Sequence, residues 1–344
     1  MTTQRSRGHL SIMACDSGRL FAQRMVNHLS RMLQETEGAD YNCWRESKEV
    51  FFSNKEVKTV ILDNVRGDDV YIVQCMDDPL HRSERSVNDN LMALCTAIDA
   101  AYNSDAETIT AVIPQYPYAR QERKKGRESI TARQIASFLE VAGANRVITL
   151  DIHAEPTEGF FRRGRFENIH ASRAIINHIR ANYTIPNMKL VAPDVGSVER
   201  ARFYSRELKC DLAVVDKVRD YSKPSQIESV RLIGDVADCN ILIADDMIAT
   251  GGTIVNAARL LRSRGAKDIY LACSLPYFNG AAVEKLDAAY EEGLLQKVIG
   301  TDAVFHGEDF SARHPWYEEV SIAPLFAQVI YNINNRLSVS ELLK

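Results

Sequence analysis

Apolar residues along this chain fall into two kinds of pattern. Some form short unbroken runs; others recur every three or four positions with polar residues between them. The runs read as buried strands and the spaced patterns as amphipathic helices. In the first half, strands are predicted at 70–74, 108–113 and 147–150, and helices at 90–102 and 131–142. In the last of these, Ile135, Phe138, Leu139 and Ala142 are expected to share one face, with Gly143 as the stop. The second half repeats the rhythm. Helices are predicted at 171–182, 198–208 and 254–264, and strands at 190–192, 212–215, 240–244 and 269–274. This alternation predicts an α/β fold of two similar domains, each a mainly parallel sheet flanked by helices. Ligands of such sheets bind beyond the carboxyl ends of the strands. The residues there are Gln74, 114–121, 151–153, 194–196, 216–219 and 245–253.

The length of 344 residues agrees with two domains, being long for a single core. A hydrophobic content of 45% and a charged content of 26% are ordinary for a globular chain. The net charge of −4 gives no global pull toward nucleic acid or an anionic membrane. No apolar run approaches the ~20 residues that span a bilayer. The polar start lacks a signal-peptide core, so a cytoplasmic location is expected. The seven cysteines are scattered without a C-x-x-C pair. Free thiols are expected, not a disulfide framework or a zinc site.

The richest stretch is 240–253. Four apolar residues run into Asp245 and Asp246, and Thr250, Gly251, Gly252 and Thr253 follow just before a helix. A small-residue loop at a helix N-terminus can wrap a phosphate with backbone N–H groups, and the helix dipole favours the negative charge. The two acids can accept hydrogen bonds from vicinal sugar hydroxyls or hold a metal. The combination predicts a sugar-phosphate site; a solvated acidic turn is the plain alternative.

Other strand ends are more ambiguous. Asp151 and His153 can cap a strand end or bind a divalent cation, and Asp194 beside Gly196 is similar. Lys217 and Arg219 follow the strand 212–215, and in an extended segment they would face the same side. They suit either a polyphosphate whose charge shifts during transfer or a solvated basic turn. The polar segment 220–229 reads as a mobile loop, plausible as a lid. The basic stretch 118–127 suits a solvated loop, nucleic acid or a nucleotide's phosphates. Phe52, Asn54 and Glu56 could stack on and hydrogen-bond a base. Neither G-x-x-x-x-G-K-[ST] nor G-x-G-x-x-G occurs.

Taken together, the motifs resemble those of ribose-phosphate diphosphokinase, also called PRPP synthetase, a family with the phosphoribosyltransferase-like fold. The matching pieces run in order from Ser17 to Leu343. They include FSNKE at 52–56, NDNLM at 88–92, YARQ at 118–121, DIHA at 151–154, PD at 193–194, DKVR at 216–219, DDMIATGGT at 245–253 and SIAPL at 321–325. The resemblance implies transfer of the diphosphoryl group of Mg-ATP to O1 of ribose 5-phosphate, giving PRPP for nucleotide biosynthesis and AMP. It places Asp245 and Asp246 on the ribose hydroxyls, and Thr250, Gly251, Gly252 and Thr253 on the 5-phosphate. Lys217 and Arg219 become the catalytic cations, and His153 and Asp194 the metal-binding region for Mg2+. Phe52, Asn54, Glu56, Arg120 and Gln121 become the ATP site. It further implies a homo-oligomer, dimer or hexamer, with phosphate or ADP as effectors. Residues 8–166, joined by 326–344, would carry the ATP-side motifs; residues 167–325 would carry the ribose 5-phosphate loop.

The chain departs from the family pattern in four places. Ala249 stands where the loop usually has an aspartate. Residues 123–129 are one residue short, and 161–168 replace an apolar segment with one that is longer and arginine-rich. Residues 75–87 carry a small insertion. The second and third changes fall where many members bind effectors, so an altered ADP response is expected. Two other functions fit the same motifs: a catalytically silent partner of active synthetases, or a PRPP-consuming transferase. A nucleic-acid-binding regulator fits the charge poorly. Retention of Lys217, Arg219, Asp245 and Asp246 favours an active synthetase over the silent form, and the ATP-type motifs of the first half argue against a transferase.

Overall fold

The computed structural model describes residues 7–38, 41–80, 85–219 and 227–342. The chain divides into two compact units. One comprises Met1–His170, Ala303–Phe305 and Ser321–Lys344, and the other Ala171–Asp302 and His306–Val320.

The first unit runs β1 (Leu10–Ala14), α1 (Arg19–Glu37), β2 (Ser47–Phe51), β3 (Val57–Ile61), β4 (Asp69–Val73), α2 (Val87–Asn103), β5 (Thr108–Ile113), α3 (Thr131–Ala142), β6 (Arg146–Leu150) and β7 (Arg165–Ile169). Among the described residues its sheet has the order β1-β4-β5-β6-β7, every pair parallel. β1, β4 and β6 are buried along their whole length, as a sheet covered on both faces requires. The core gathers Val70, Ile72, Leu94, Ile98, Ile113, Leu139 and Val147. Ser86 and Asp89 form a reciprocal capping box at the start of α2. Gly143, at φ +118°, ends α3 in a left-handed cap. One expected core position is different: Phe138 is 47% exposed. The buried stripe of α3 is Ala132, Ile135, Ala136 and Leu139, and Phe138 lies to its side. The antiparallel β2–β3 hairpin has no counterpart among the predicted strands.

The second unit runs α4 (Ser172–Asn182), β8 (Met188–Ala192), α5 (Val198–Leu208), β9 (Asp211–Arg219), β10 (Ile227–Ile233), β11 (Asn240–Met247), α6 (Gly252–Ser263), β12 (Ile269–Leu275), α7 (Ala282–Glu291), β13 (Lys297–Thr301), α8 (Phe310–Arg313) and β14 (Tyr317–Val320). Its sheet has the order β10-β9-β8-β11-β12-β13-β14 among the described residues, and only β9–β10 is antiparallel. The chain thus moves outward from β8 to β9 and β10, then returns to the other side of β8. α9 (Ala323–Asn334) belongs to the first unit and packs on α1, with Phe21 and Phe326 edge to face at 5.3 Å.

Two sequence-based strands are longer than expected. The strand predicted at 212–215 continues to Arg219, so Lys217 and Arg219 lie in β9 and not in a turn after it. The strand predicted at 240–244 continues to Met247 and contains both acids. Part of the polar segment expected to be a loop is strand as well, because Ile227 opens β10. Residues 220–226 lie outside the described residues. No disulfide joins any of the seven cysteines, and burial raises the thiol pKa of Cys15, Cys43, Cys95, Cys210 and Cys273. No described helix is long and apolar enough to cross a membrane.

Candidate functional site

The second unit carries a notch at the point where its strand order reverses. β8 pairs with β9 only as far as Ala192 opposite Val214, and with β11 only as far as Val191 opposite Ile243. Both neighbours overrun it. β9 continues to Arg219 on the support of β10, and β11 continues to Met247 on the support of β12, with Asp245 opposite Cys273. The space above the end of β8 is therefore walled by the last residues of β9 and β11. Its floor is the turn at Asp194, whose carboxylate accepts the Ser197 N–H at 3.0 Å. This is the reversal point at which open parallel sheets take ligands. Lys217 and Arg219 belong to one wall by their backbone; their side chains lie outside the described residues.

Asp245 and Asp246 belong to the other wall. The Asp245 carboxylate accepts the Asp246 N–H at 2.9 Å, and the Asp246 carboxylate accepts the Met247 N–H at 2.9 Å. Arg200 of α5 approaches Asp246 at 3.8 Å. Burial and the neighbouring Asp246 push the Asp245 carboxyl up to about 8, with Asp194 adding to the rise and Arg200 opposing it. Asp194 and the acid pair therefore share one electrostatic environment. An unfolded aspartate ionises near 3.9. Between that pH and about 8 the folded chain holds a proton that the unfolded chain has lost. Stability from this site is then full below about pH 4 and declines as pH rises toward 8. Asp245→Asn should flatten the fall of Tm between pH 5 and 8. A wild-type slope that the variant keeps unchanged would refute the raised acid.

The loop after β11 ends on α6. Gly251 sits at φ +72° as N-cap, and no side chain caps the helix. Its first amides are left to an outside acceptor. A Cβ added at Gly252 would meet nothing within 4 Å, whereas Gly251 is held to its left-handed backbone. Thr250 and Thr253 are exposed, and the Lys285 ammonium donates to the Thr250 carbonyl at 3.1 Å. The loop backbone is pinned from behind, with Asn279 N–H donating to Ala249 O at 2.8 Å.

In the first unit, Phe52, Asn54 and Glu56 occupy the turn of the β2–β3 hairpin. Phe52 N–H donates to Glu56 O at 2.9 Å, and the Asn54 side chain accepts Glu56 N–H at 3.2 Å. All three are exposed on a cleft of about 450 Å³, completed by Phe51, Lys55 and Val57 of the hairpin and by Asp89 and Met92 of α2. Sequence reasoning did not single out Asp89 or Met92, although both lie in the NDNLM piece. Arg120 and Gln121 are exposed and do not line this cleft. Their turn is nevertheless tied to the same helix, because the Tyr118 hydroxyl bonds the Asn88 side chain.

His153 is exposed beyond β6. Neighbouring Asp151 is buried, has φ +39° and bonds His170 at 2.7 Å. His153 and Asp194 fall in different units, and no three described His, Cys, Asp or Glu side chains cluster to hold a metal. Gln74, a strand-end candidate, is used up internally: Ser17 donates to it at 2.6 Å, and it donates to Asn90 O at 2.8 Å. The arginine-rich segment is tied to α3. The N–H groups of Arg162, Arg163 and Gly164 converge on one Glu140 carboxylate oxygen at 2.9, 2.7 and 2.7 Å.

Residues 10–143 match the family model described as the N-terminal domain of ribose phosphate pyrophosphokinase, and residues 165–308 match that of the phosphoribosyl transferase domain. A ribose-phosphate pyrophosphokinase from Chlorobaculum tepidum is 39% identical over 298 residues, covering 86% of this chain and 87% of the relative. One from Synechococcus elongatus is 36% identical, covering 95% and 93%. The crystal structure of phosphoribosylpyrophosphate synthetase from Mycobacterium smegmatis superposes with a TM-score of 0.81 at 32% identity. It covers 94% of this chain and 98% of that one.

Proposed function

The chain belongs to the ribose-phosphate pyrophosphokinase family, and on that premise we propose how its residues divide the work. The enzyme makes 5-phosphoribosyl 1-diphosphate by moving the diphosphoryl group of ATP to O1 of ribose 5-phosphate, releasing AMP. The observation that carries the division is the notch over β8, with paired acids on one wall and the Lys217 and Arg219 positions on the other. In this reading, ribose 5-phosphate lies with its phosphate on the uncapped start of α6, at Thr250, Gly251, Gly252 and Thr253. Its ring hydroxyls reach Asp245 and Asp246. Lys217 and Arg219 neutralise the diphosphoryl group in transit. Such a transfer needs positioning and charge compensation and no covalent nucleophile.

ATP is assigned to the hairpin cleft, with Phe52, Asn54 and Glu56 at the base and Arg120 and Gln121 toward the phosphates. The first compact unit then serves as the nucleotide domain, and the second as the sugar-phosphate domain. A magnesium ion carried by ATP phosphates needs only one or two protein donors and keeps much of its water. Asp194 offers the oxygen donor such an ion prefers and His153 an imidazole nitrogen, a poorer donor for it; the ion would add positive charge to the phosphates. Assembly as a homodimer or hexamer and a cytoplasmic location complete the reading. Formation of AMP from ATP that depends on ribose 5-phosphate tests it. AMP formation indifferent to the sugar phosphate would overturn it in favour of ATP hydrolysis, and none with fully folded protein in favour of a silent partner.

ADP provides a further test. The Glu140 carboxylate occupies the three amides of the 162–164 turn. Inhibition by ADP should therefore act only at the ATP site and vanish as ATP is raised. Initial rates across ADP concentrations at saturating ATP check this; strong cooperative inhibition that persists there would contradict it.

A further inference from the structure

Arg85 lies just ahead of α2, and its side chain reaches across to β2, whose last residue lines the hairpin cleft. Its guanidinium stacks on the Phe51 ring, 3.7 Å from the centroid. One nitrogen pairs with Glu49, and another with Asp16 at 2.9 Å. Glu49 is nearly sealed, its side chain 2% exposed, and its second oxygen accepts the Asp16 N–H at 2.9 Å. The next residue, Ser86, is the N-cap of α2, so the guanidinium stands at the root of the wall that presents Asp89 and Met92. Phe51 is the last residue of β2 and leads straight into the turn bearing Phe52, Asn54 and Glu56.

The base of the hairpin is fixed independently. Ser47 donates to Ala14 O at 3.1 Å, and Arg19 donates to Ser47 O at 3.0 Å. Farther out, Glu49 takes the Asp16 N–H directly and Thr59 of β3 meets Thr96 of α2 at 3.1 Å; Arg85 adds a tie at the end of β2 nearest the turn. A planar guanidinium can stack and fork onto two carboxylates at once, which an ammonium cannot. Here one face holds Phe51 while the edge holds the acids of β2 and of the turn after β1.

We propose that Arg85 is a positioning residue that sets the spacing between the hairpin and α2, and thereby the affinity of the cleft for the nucleotide. The proposal rests on the assignment of ATP to this cleft. It predicts a selective effect. Arg85→Ala in the full chain should raise KM for ATP about tenfold, equivalent to ~1.4 kcal/mol, and leave KM for ribose 5-phosphate unchanged. Arg85→Lys keeps the charge and loses the stacked plane, so it should raise KM for ATP by a smaller factor. If Arg85→Ala does not fold, the lysine variant decides alone. A purely structural role would lower Tm and the active fraction, moving kcat with both KM values fixed, and that result would overturn the proposal. Phe52→Ala serves as the control. If it raises KM for ATP while both Arg85 variants leave it unchanged, the proposal fails and the site assignment stands. If Phe52→Ala also leaves KM for ATP unchanged, the assignment of the cleft fails and takes the proposal with it.

Discussion

Replacing Lys217 or Arg219 with alanine is expected to cut kcat by ~10²–10³ while Tm moves little. The reaction builds and moves charge on a diphosphoryl group, and a fixed cation near that charge acts more on the transition state than on bound substrate. Both residues sit on the part of β9 that overruns β8, two positions apart. That stretch is held by main-chain pairing with β10, Lys217 opposite Val230 and Arg219 opposite Ile227. Backbone pairing does not depend on the side chain, so truncation should leave the strand in place. Steady-state AMP formation, with Tm measured on the same samples, gives the answer. Turnover within a few-fold of wild type in either variant would remove that residue from the mechanism. A loss confined to KM would reassign it to ground-state binding.

Gly252→Ala should separate ligand binding from folding. The position is the first residue of α6, its φ is not in the left-handed region, and a Cβ there meets open space. Alanine is a better helix former than glycine by ~1 kcal/mol, so Tm should hold or rise. In the proposed reading a phosphate approaches these uncapped amides, and the methyl group is expected to crowd it. KM for ribose 5-phosphate should rise ~10–100-fold, corresponding to ~1.4–2.8 kcal/mol, with KM for ATP unchanged. A stable variant with normal ribose 5-phosphate kinetics would show that the phosphate binds elsewhere.

The sequence by itself determined the fold class, because burial on both faces of a parallel sheet demands short apolar runs between amphipathic helices. Helices at 131–142 and 198–208 and the strand at 108–113 were legible to the residue. The acid pair and the Thr-Gly-Gly-Thr loop were legible as the turn from a strand to a helix, although the strand takes in both acids and α6 already begins at Gly252. What lay beyond local pattern was pairing. Lys217, Arg219, Asp245 and Asp246 are polar, and polarity ends a strand as read from hydrophobicity. They remain in strands because β10 and β12 supply backbone partners from elsewhere in the chain. Nor does sequence order reveal that β8 stops short between two longer neighbours, which is what makes the notch. In the same way, three separate segments, at Asp16, Glu49 and Arg85, meet only in the folded chain. Hydrophobic periodicity records which face of an element is buried; which elements lie side by side, and where each one ends, is set by hydrogen-bond partners distant in sequence.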